Sequence, residues 1–318
     1  MTGYVIRRIG QAVVVLWAAY TVTFVILYLL PSDPVALQLA ANNIEIDSLS
    51  PEQREAAAAR LGLDRPVWEQ YLGMLLGALR GDFGVSFAKQ VPVGELIADR
   101  LPPTAILSAF AVLIALVFGV ALALLATWLP RGPVAAILRR VPAVGVSVPG
   151  FWIGLLLIQV FAFTLGWFPA MGNEGPASYV LPAVTMAIPT SAVLAQVLIR
   201  SFDDTLSEPY IATARAKGLS RWSVQLRHAF RNAALPTLTI LGLLVGATVT
   251  GSIVVETVFS RHGLGRLAQE SVLAQDVPVV QAIVVLAAGA FVVVNLIVDL
   301  LYPLLDPRIS HTPNVSRA

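Results

Sequence analysis

The chain has 318 residues, of which 57% are hydrophobic and 13% charged, with a net charge of +2 and no cysteine. A soluble globular chain carries roughly 25% charged residues and about 45–50% apolar ones, and a disordered chain is more polar still. The composition therefore excludes both classes, together with a disulfide-stapled domain and a Cys-ligated zinc or iron–sulfur centre; a polytopic membrane protein is what remains.

Six stretches without Asp, Glu, Lys or Arg reach spanning length: 9–32, 101–130, 141–173, 175–199, 232–255 and 277–298. A crossing helix needs about 20 apolar residues at about 1.5 Å each against a hydrocarbon core of ~30 Å. Period-two alternation is absent from these stretches, which argues against a β-barrel. The sequence thus predicts an all-α fold with six transmembrane helices. The third stretch is long enough for a helix plus a partly buried exit loop. The first follows Arg7 and Arg8 as a signal peptide would. Its apolar part exceeds the ~7–15 residues of such a leader, so a retained helix is expected.

Basic residues set the orientation. The termini and the second and fourth loops hold 13 of the 21 Lys and Arg, while 14 of the 19 Asp and Glu fall on the other side. Both termini are expected in the cytoplasm. The first outer loop, 33–100, is too long for a plain connection. Ser50, Pro51 and Glu52 read as a helix start, Ala56–Ala59 as its continuation and Gly62 as its stop. A second helical pattern covers 67–79, with Trp68, Tyr71, Leu72, Leu75 and Leu76. This loop reads as an interfacial cap or as a partner-docking surface. The expected division is residues 1–102 (first helix and outer loop), 103–308 (a five-helix core) and 309–318 (a cytoplasmic tail).

The fourth loop, 200–232, is the most informative. Ser207, Glu208 and Pro209 read as a helix start, with Ser207 as N-cap, and Gly218 as its stop. Ser220 can then cap a second helix carrying Trp222, Leu226 and Phe230. Small residues at Ala212, Ala214 and Ala216 would let another backbone approach closely. From the residues alone, this is either a docking helix or a basic loop lying on anionic headgroups.

The stretch 207–236, SEPYIATARAKGLSRWSVQLRHAFRNAALP, resembles the coupling loop of bacterial ABC-transporter permeases, in particular the dipeptide/oligopeptide/nickel family. Ala212, Thr213 and Ala214 take the Glu-Ala-Ala places of the general pattern, and Gly218 takes its Gly. The Glu is missing, and Arg231 stands where a Pro closes that pattern. Residues 61–70 followed by Gly81–Asp82–Phe83–Gly84 resemble the family's first outer loop. Residues 255–265, VETVFSRHGLG, resemble its fifth-helix exit, with Arg261–His262 where an apolar residue and Pro are common. Residues 295–308 resemble its C-terminus.

The resemblance implies a type I importer permease subunit for peptides. ATPase coupling would fall to Pro209, Tyr210, Ala212, Thr213, Ala214, Arg215, Ala216, Lys217, Gly218 and Leu219. It implies a second, homologous permease subunit, two cytoplasmic ATPase domains and an extracytoplasmic binding protein. The chain carries no G-x-x-x-x-G-K-[ST] of its own. ATP and Mg would therefore sit on the partner ATPases, with no cofactor bound here, and the chain would be a transport subunit rather than an enzyme.

Other polar and proline positions keep two readings each. Glu256 and Phe259 either form an outer gate or organise the helix exit. Pro149, Pro182, Pro189 and Gln196 either kink and line a pathway or serve helix packing, and Gln159 reads in the same way. Asn295 and Asp299 share a face, which suits interhelical or interfacial hydrogen bonds. The span interiors lack buried carboxylates, which argues against the alternative of an ion-coupled secondary transporter. His228, His262 and His311 lie apart and no H-E-x-x-H occurs, so neither a metal site nor catalysis within this chain is expected, and no nucleic-acid partner is expected.

Overall fold

The structure, a computed structural model, describes residues 2–29, 50, 52, 65–130 and 132–305. The helix expected over 50–62 falls outside these residues except for Ser50 and Glu52. So do His311 with the rest of the tail 309–318, and the side chain of Asp299.

Among the described residues the fold is all-α, with one isolated bridge between Val85 and Pro92. In chain order the helices are α1 (Thr2–Leu29), α2 (Val67–Leu79), α3 (Val93–Trp128), α4 (Pro133–Ser147) and α5 (Gly150–Leu157). There follow α6 (Val180–Leu206), α7 (Pro209–Ala216), α8 (Arg221–Val258), α9 (Leu264–Leu273) and α10 (Val277–Leu305). Among the described residues five apolar helices are long enough to cross a membrane: α1, α3, α6, α8 and α10.

The third predicted span differs from expectation. It is a broken pair, α4 and α5, whose axes meet at 100°. Pro149 is the cause. The residue before a proline is pushed out of the helical region, and Val148 is accordingly extended at ψ 127°. Pro149 then caps the start of α5. Counted as one crossing, the pair brings the total to six.

Contacts divide the chain into two units. One comprises Ala105–Arg261 and the stretch from Phe291 onward; the other comprises the described parts of Gly3–Thr104 and His262–Ala290.

In the first unit α6 is the central element, and 56% of its apolar window lies inside the fold. The facing side of α3 is a stripe at intervals of four: Leu107, Ala111, Ala115, Gly119 and Ala123. A Cβ on Gly119 would stand 2.7 Å from Leu194 Cδ2 and 3.0 Å from the Ser191 carbonyl of α6. Gly145 of α4 meets Ala192 in the same way. In lipid, helix association depends on close packing rather than on the hydrophobic effect, so small residues collect where backbones meet. Large apolar side chains such as Phe118 and Val117 point outward.

In the second unit α9 and α10 pack with the start of α3 through Val93, Ile97, Leu264, Leu267, Val279 and Ala282. The loop ahead of α3 is tied down by one buried carboxylate. Asp276 accepts hydrogen bonds from Ser86 Oγ, from the Phe87 amide (3.0 Å) and from the Ala88 amide (3.2 Å). Beside it Glu270 bridges Lys89 (3.2 Å) and Arg266 (3.0 Å). Burial pushes the Glu270 carboxyl up, but these two cations outweigh it and hold the group below its ordinary range.

Candidate functional site

The loop between α6 and α8 carries an exposed helical face in the first unit. Its helix α7 starts at Pro209, whose missing N–H costs nothing in a first turn. Ser207 is not its N-cap: that hydroxyl donates back to the Asp204 carbonyl at 2.7 Å and finishes α6. Glu208, in extended conformation, takes the cap position. The expected hydroxyl cap fails because α6 runs further than its apolar stretch, ending only at Leu206.

One face of α7 is anchored and the other is open. Ile211 and Ala214 are buried in a cluster with Ala123, Leu198, Phe202 and Val224. Pro209, Tyr210, Ala212, Thr213, Arg215, Ala216, Lys217, Gly218 and Leu219 are all exposed. The open face is therefore small-residued and basic. Gly218 ends the helix with its amide on the Arg215 carbonyl at 2.9 Å and a φ of +80°. Nothing stands within 4 Å of a Cβ placed there, so only the left-handed backbone demands glycine.

The second expected helix is not a separate piece. Ser220 does cap it, accepting from the Ser223 amide at 3.3 Å, but the helix runs on through a π-turn at Val224–Ala229 into α8 itself. Helix α7 thus hangs directly between two membrane spans. Tyr210 ties it to α8, donating to the His228 carbonyl (3.3 Å) and accepting from Asn232 Nδ2 (2.9 Å). The π-turn carries Gln225, buried, whose Nε2 donates to the Leu124 carbonyl (3.0 Å) and Thr127 Oγ1 (2.6 Å) at the end of α3. Trp222 packs edge-on to Trp128 at 6.2 Å. On the neighbouring edge Arg139 of α4 grips Asp203 of α6 with two bonds, at 2.6 and 3.0 Å. As an exposed pair it contributes about 0–1 kcal/mol. Sequence reasoning did not pick out Gln225, one of several polar residues in a mixed stretch.

At the far end of α8, Glu256 and Phe259 are both 1% exposed. Phe259 lies in an apolar cluster with Leu107, Ile158 and Leu181. Arg261, also 1% exposed, stands out in the sequence only as a departure from the family pattern, and it organises this exit. Its Nη1 donates to the carbonyls of Gly172 (3.1 Å) and Ser178 (2.7 Å), and its guanidinium sits 4.1 Å from the Tyr179 ring centroid. Burial lowers the Arg261 pKa from its ordinary value, while Tyr179 and Glu256 work against that shift.

The remaining candidates are dispersed. Pro149 makes the 100° break. Pro182 is buried in the first turn of α6, where it interrupts nothing, and Pro189 lies within α6 without breaking it. Gln159 and Gln196 are exposed. Asn295 donates to the Phe291 carbonyl of its own helix at 2.8 Å. Among the described residues no group of three metal-ligating side chains occurs. His262 Nδ1 pairs with Arg100 at 3.2 Å.

Comparison with known proteins bears on both parts of the chain. Residues 115–311 match the family "binding-protein-dependent transport system inner membrane component", and residues 1–108 match that system's membrane-component N-terminal family. The glutathione transport system permease protein GsiC of Escherichia coli K12 is 38% identical over 312 residues, covering 98% of this chain and 100% of that protein. The GsiC proteins of Shigella dysenteriae Sd197 and Shigella flexneri 8401 give the same identity and coverage. A crystal structure of an amino acid ABC transporter with histidines aligns at TM-score 0.49 and 21% identity, over 67% of this chain and 94% of that one. With family matches over both parts and relatives over nearly its whole length, the chain belongs to the binding-protein-dependent transport system inner membrane component family: it is a multi-pass inner-membrane permease component of an ABC importer.

Proposed function

We propose that this subunit forms half of the translocation pathway of an importer for short peptides, including glutathione-like tripeptides. The name of the GsiC relatives and the resemblance of the coupling loop to the dipeptide/oligopeptide group support that class. A second, homologous permease subunit supplies the other half, and an extracytoplasmic binding protein delivers the substrate. Both termini lie in the cytoplasm, in keeping with the arginine distribution. ATP and Mg are held by two partner ATPase domains.

The single observation that carries the coupling role is the open face of α7, held between α6 and α8. Ala212, Thr213 and Ala216 admit a close backbone, and Arg215 and Lys217 present charge to acidic groups of the ATPase. Closure of the ATPase dimer then moves α7 as a rigid body, and Ile211, Tyr210 and Gln225 pass the movement to three spans. Gln196, an exposed amide of α6, together with the break at Pro149, marks the wall of the pathway, while Pro182 and Pro189 serve the packing of α6. Glu256 and Phe259 belong to its outer end, and their burial favours a closed exit.

The test is uptake into proteoliposomes holding the complete complex and its binding protein. Labelled dipeptide or glutathione is expected to accumulate only with internal ATP and to be indifferent to a protonophore. Uptake that needs no ATP and collapses with the protonophore would overturn the assignment, and uptake of a nickel chelate alone would overturn the substrate class.

A further inference from the structure

Helix α2 has an inner face and an unpartnered outer one. Tyr71 packs inward on α1: its ring lies 5.8 Å from that of Tyr20 and 5.2 Å from that of Phe24, and its hydroxyl meets Thr21 Oγ1 at 2.8 Å. A second side, roughly a quarter turn round the helix from Tyr71, exposes Trp68 (63%), Leu72 (46%), Leu76 (54%) and Leu79 (77%), which recur along one stripe of the helix.

Two independent rulers give the depth of that contact. Along α1, Thr21 lies ~20 Å from Arg8 at about 1.5 Å per residue, which leaves ~10 Å to the far edge of a ~30 Å hydrocarbon core. The second ruler is α10, whose apolar span begins at Val277. Gly289 of α10 stands against Leu16 of α1, whose Cδ2 is 4.0 Å from where a Cβ would be. Gly289 is ~18 Å below Val277 and Thr21 is ~8 Å above Leu16, which again leaves ~10 Å. A tyrosine side chain is shorter than that depth, so the backbone of α2 cannot stand clear of the membrane while Tyr71 reaches Thr21.

We propose that α2 is a non-spanning helix embedded in the outer leaflet, and that its Trp68–Leu72–Leu76–Leu79 stripe is covered by lipid acyl chains rather than by a protein. The leaflet assignment rests on the orientation given above; the embedding itself does not. The composition of the segment suits this position. The charges Arg65, Arg80 and Asp82 bracket the helix, and Glu69 in its first turn is exposed, where it can extend to the headgroups. A stripe carrying Trp at the end of an apolar face is characteristic of interfacial helices. The consequence for transport is that α2 fixes the height of the outer loop in the membrane. Ser86 and Asp276 then hold the following loop at the head of α10.

The chain has no cysteine of its own, so once any cysteines of the partner subunits are replaced, single cysteines can be read without background. Leu72→Cys and Leu76→Cys carry a nitroxide label in the complete transporter in proteoliposomes, with Val14→Cys on the exposed side of α1 as the lipid reference and Glu95→Cys as the water reference. Power saturation compares collision with oxygen and with a nickel chelate. The expected result is an oxygen preference at 72 and 76 severalfold above that at 95 and close to that at 14. Nickel access like that at 95 would place the stripe in water and overturn the proposal. Shielding from both reagents would mean a protein cover, from the second permease or the binding protein, and would overturn it equally. Labelling of Glu95→Cys with an impermeant maleimide in right-side-out vesicles reads sidedness separately. Failure there would revise the orientation and leave the depth result standing.

Discussion

Gly218→Val is expected to insert, assemble and bind ATP normally, yet to lose most substrate-stimulated ATP hydrolysis. The backbone at 218 is held at φ +80°, where a branched side chain is strongly disfavoured. A left-handed residue with a Cβ costs roughly 1–2 kcal/mol, more when β-branched. That strain is relieved only by turning the chain, which swings α7 away from the angle set by Tyr210 and Ile211. The bond from the Gly218 amide to the Arg215 carbonyl would be lost with it. Because the space around the residue is empty, no packing clash contributes. Gly218→Asn is therefore the informative control, since Asn tolerates the left-handed region and should keep most of the stimulation. Basal and substrate-stimulated ATPase of the purified complex check both variants. Undiminished stimulation in Gly218→Val would remove the role given to this turn.

Arg261→Ala should be the most destabilising single change at the outer end. It strips a buried cation from beside Glu256, itself buried, and leaves the carbonyls of Gly172 and Ser178 without their donor. Breaking a buried charge arrangement by removing one partner typically costs about 3–5 kcal/mol. The double variant Glu256→Gln with Arg261→Met replaces both charges and should recover a large part of that loss. Thermal unfolding of the detergent-solubilised complex gives the comparison. If Arg261→Ala melts like the parent, Arg261 does not organise the exit.

Residue chemistry reveals a good deal of this molecule before its structure is seen. Span positions follow from charge-free stretches because hydrocarbon tolerates no ions, α2 follows from the helical spacing of Trp68, Tyr71, Leu72, Leu75 and Leu76, and the start of α7 follows from Pro209, whose missing N–H suits a first turn. Gly218 is legible for a similar reason: it follows a run of helix formers and precedes Ser220. The break at Pro149 is legible as a kink but not as a 100° turn, since proline disrupts a helix without dictating the new direction. Ser207 misleads because its hydroxyl has two local carbonyl and amide choices, and chain continuity in α6 decides between them. The stripe Ala111–Ala115–Gly119–Ala123 was open to view as small residues at intervals of four. Its partner on α6 was not, because spacing alone names no neighbour. Arg261 departs from the family pattern at an exit where an apolar residue is common, and that departure was the one available signal. What it grips, Gly172 and Ser178, lies more than eighty residues away in sequence and is visible only in the fold.

The central claim is that the exposed side of α7 is where the ATPase docks. A photoreactive benzophenone residue placed at Thr213 in the complete, transport-active complex tests it most directly, with the buried Ile211 as the matched control. The account predicts a strong adduct between this chain and an ATPase subunit from position 213 and little or none from 211. An active complex in which position 213 yields only lipid adducts, or none to the ATPase, would contradict it.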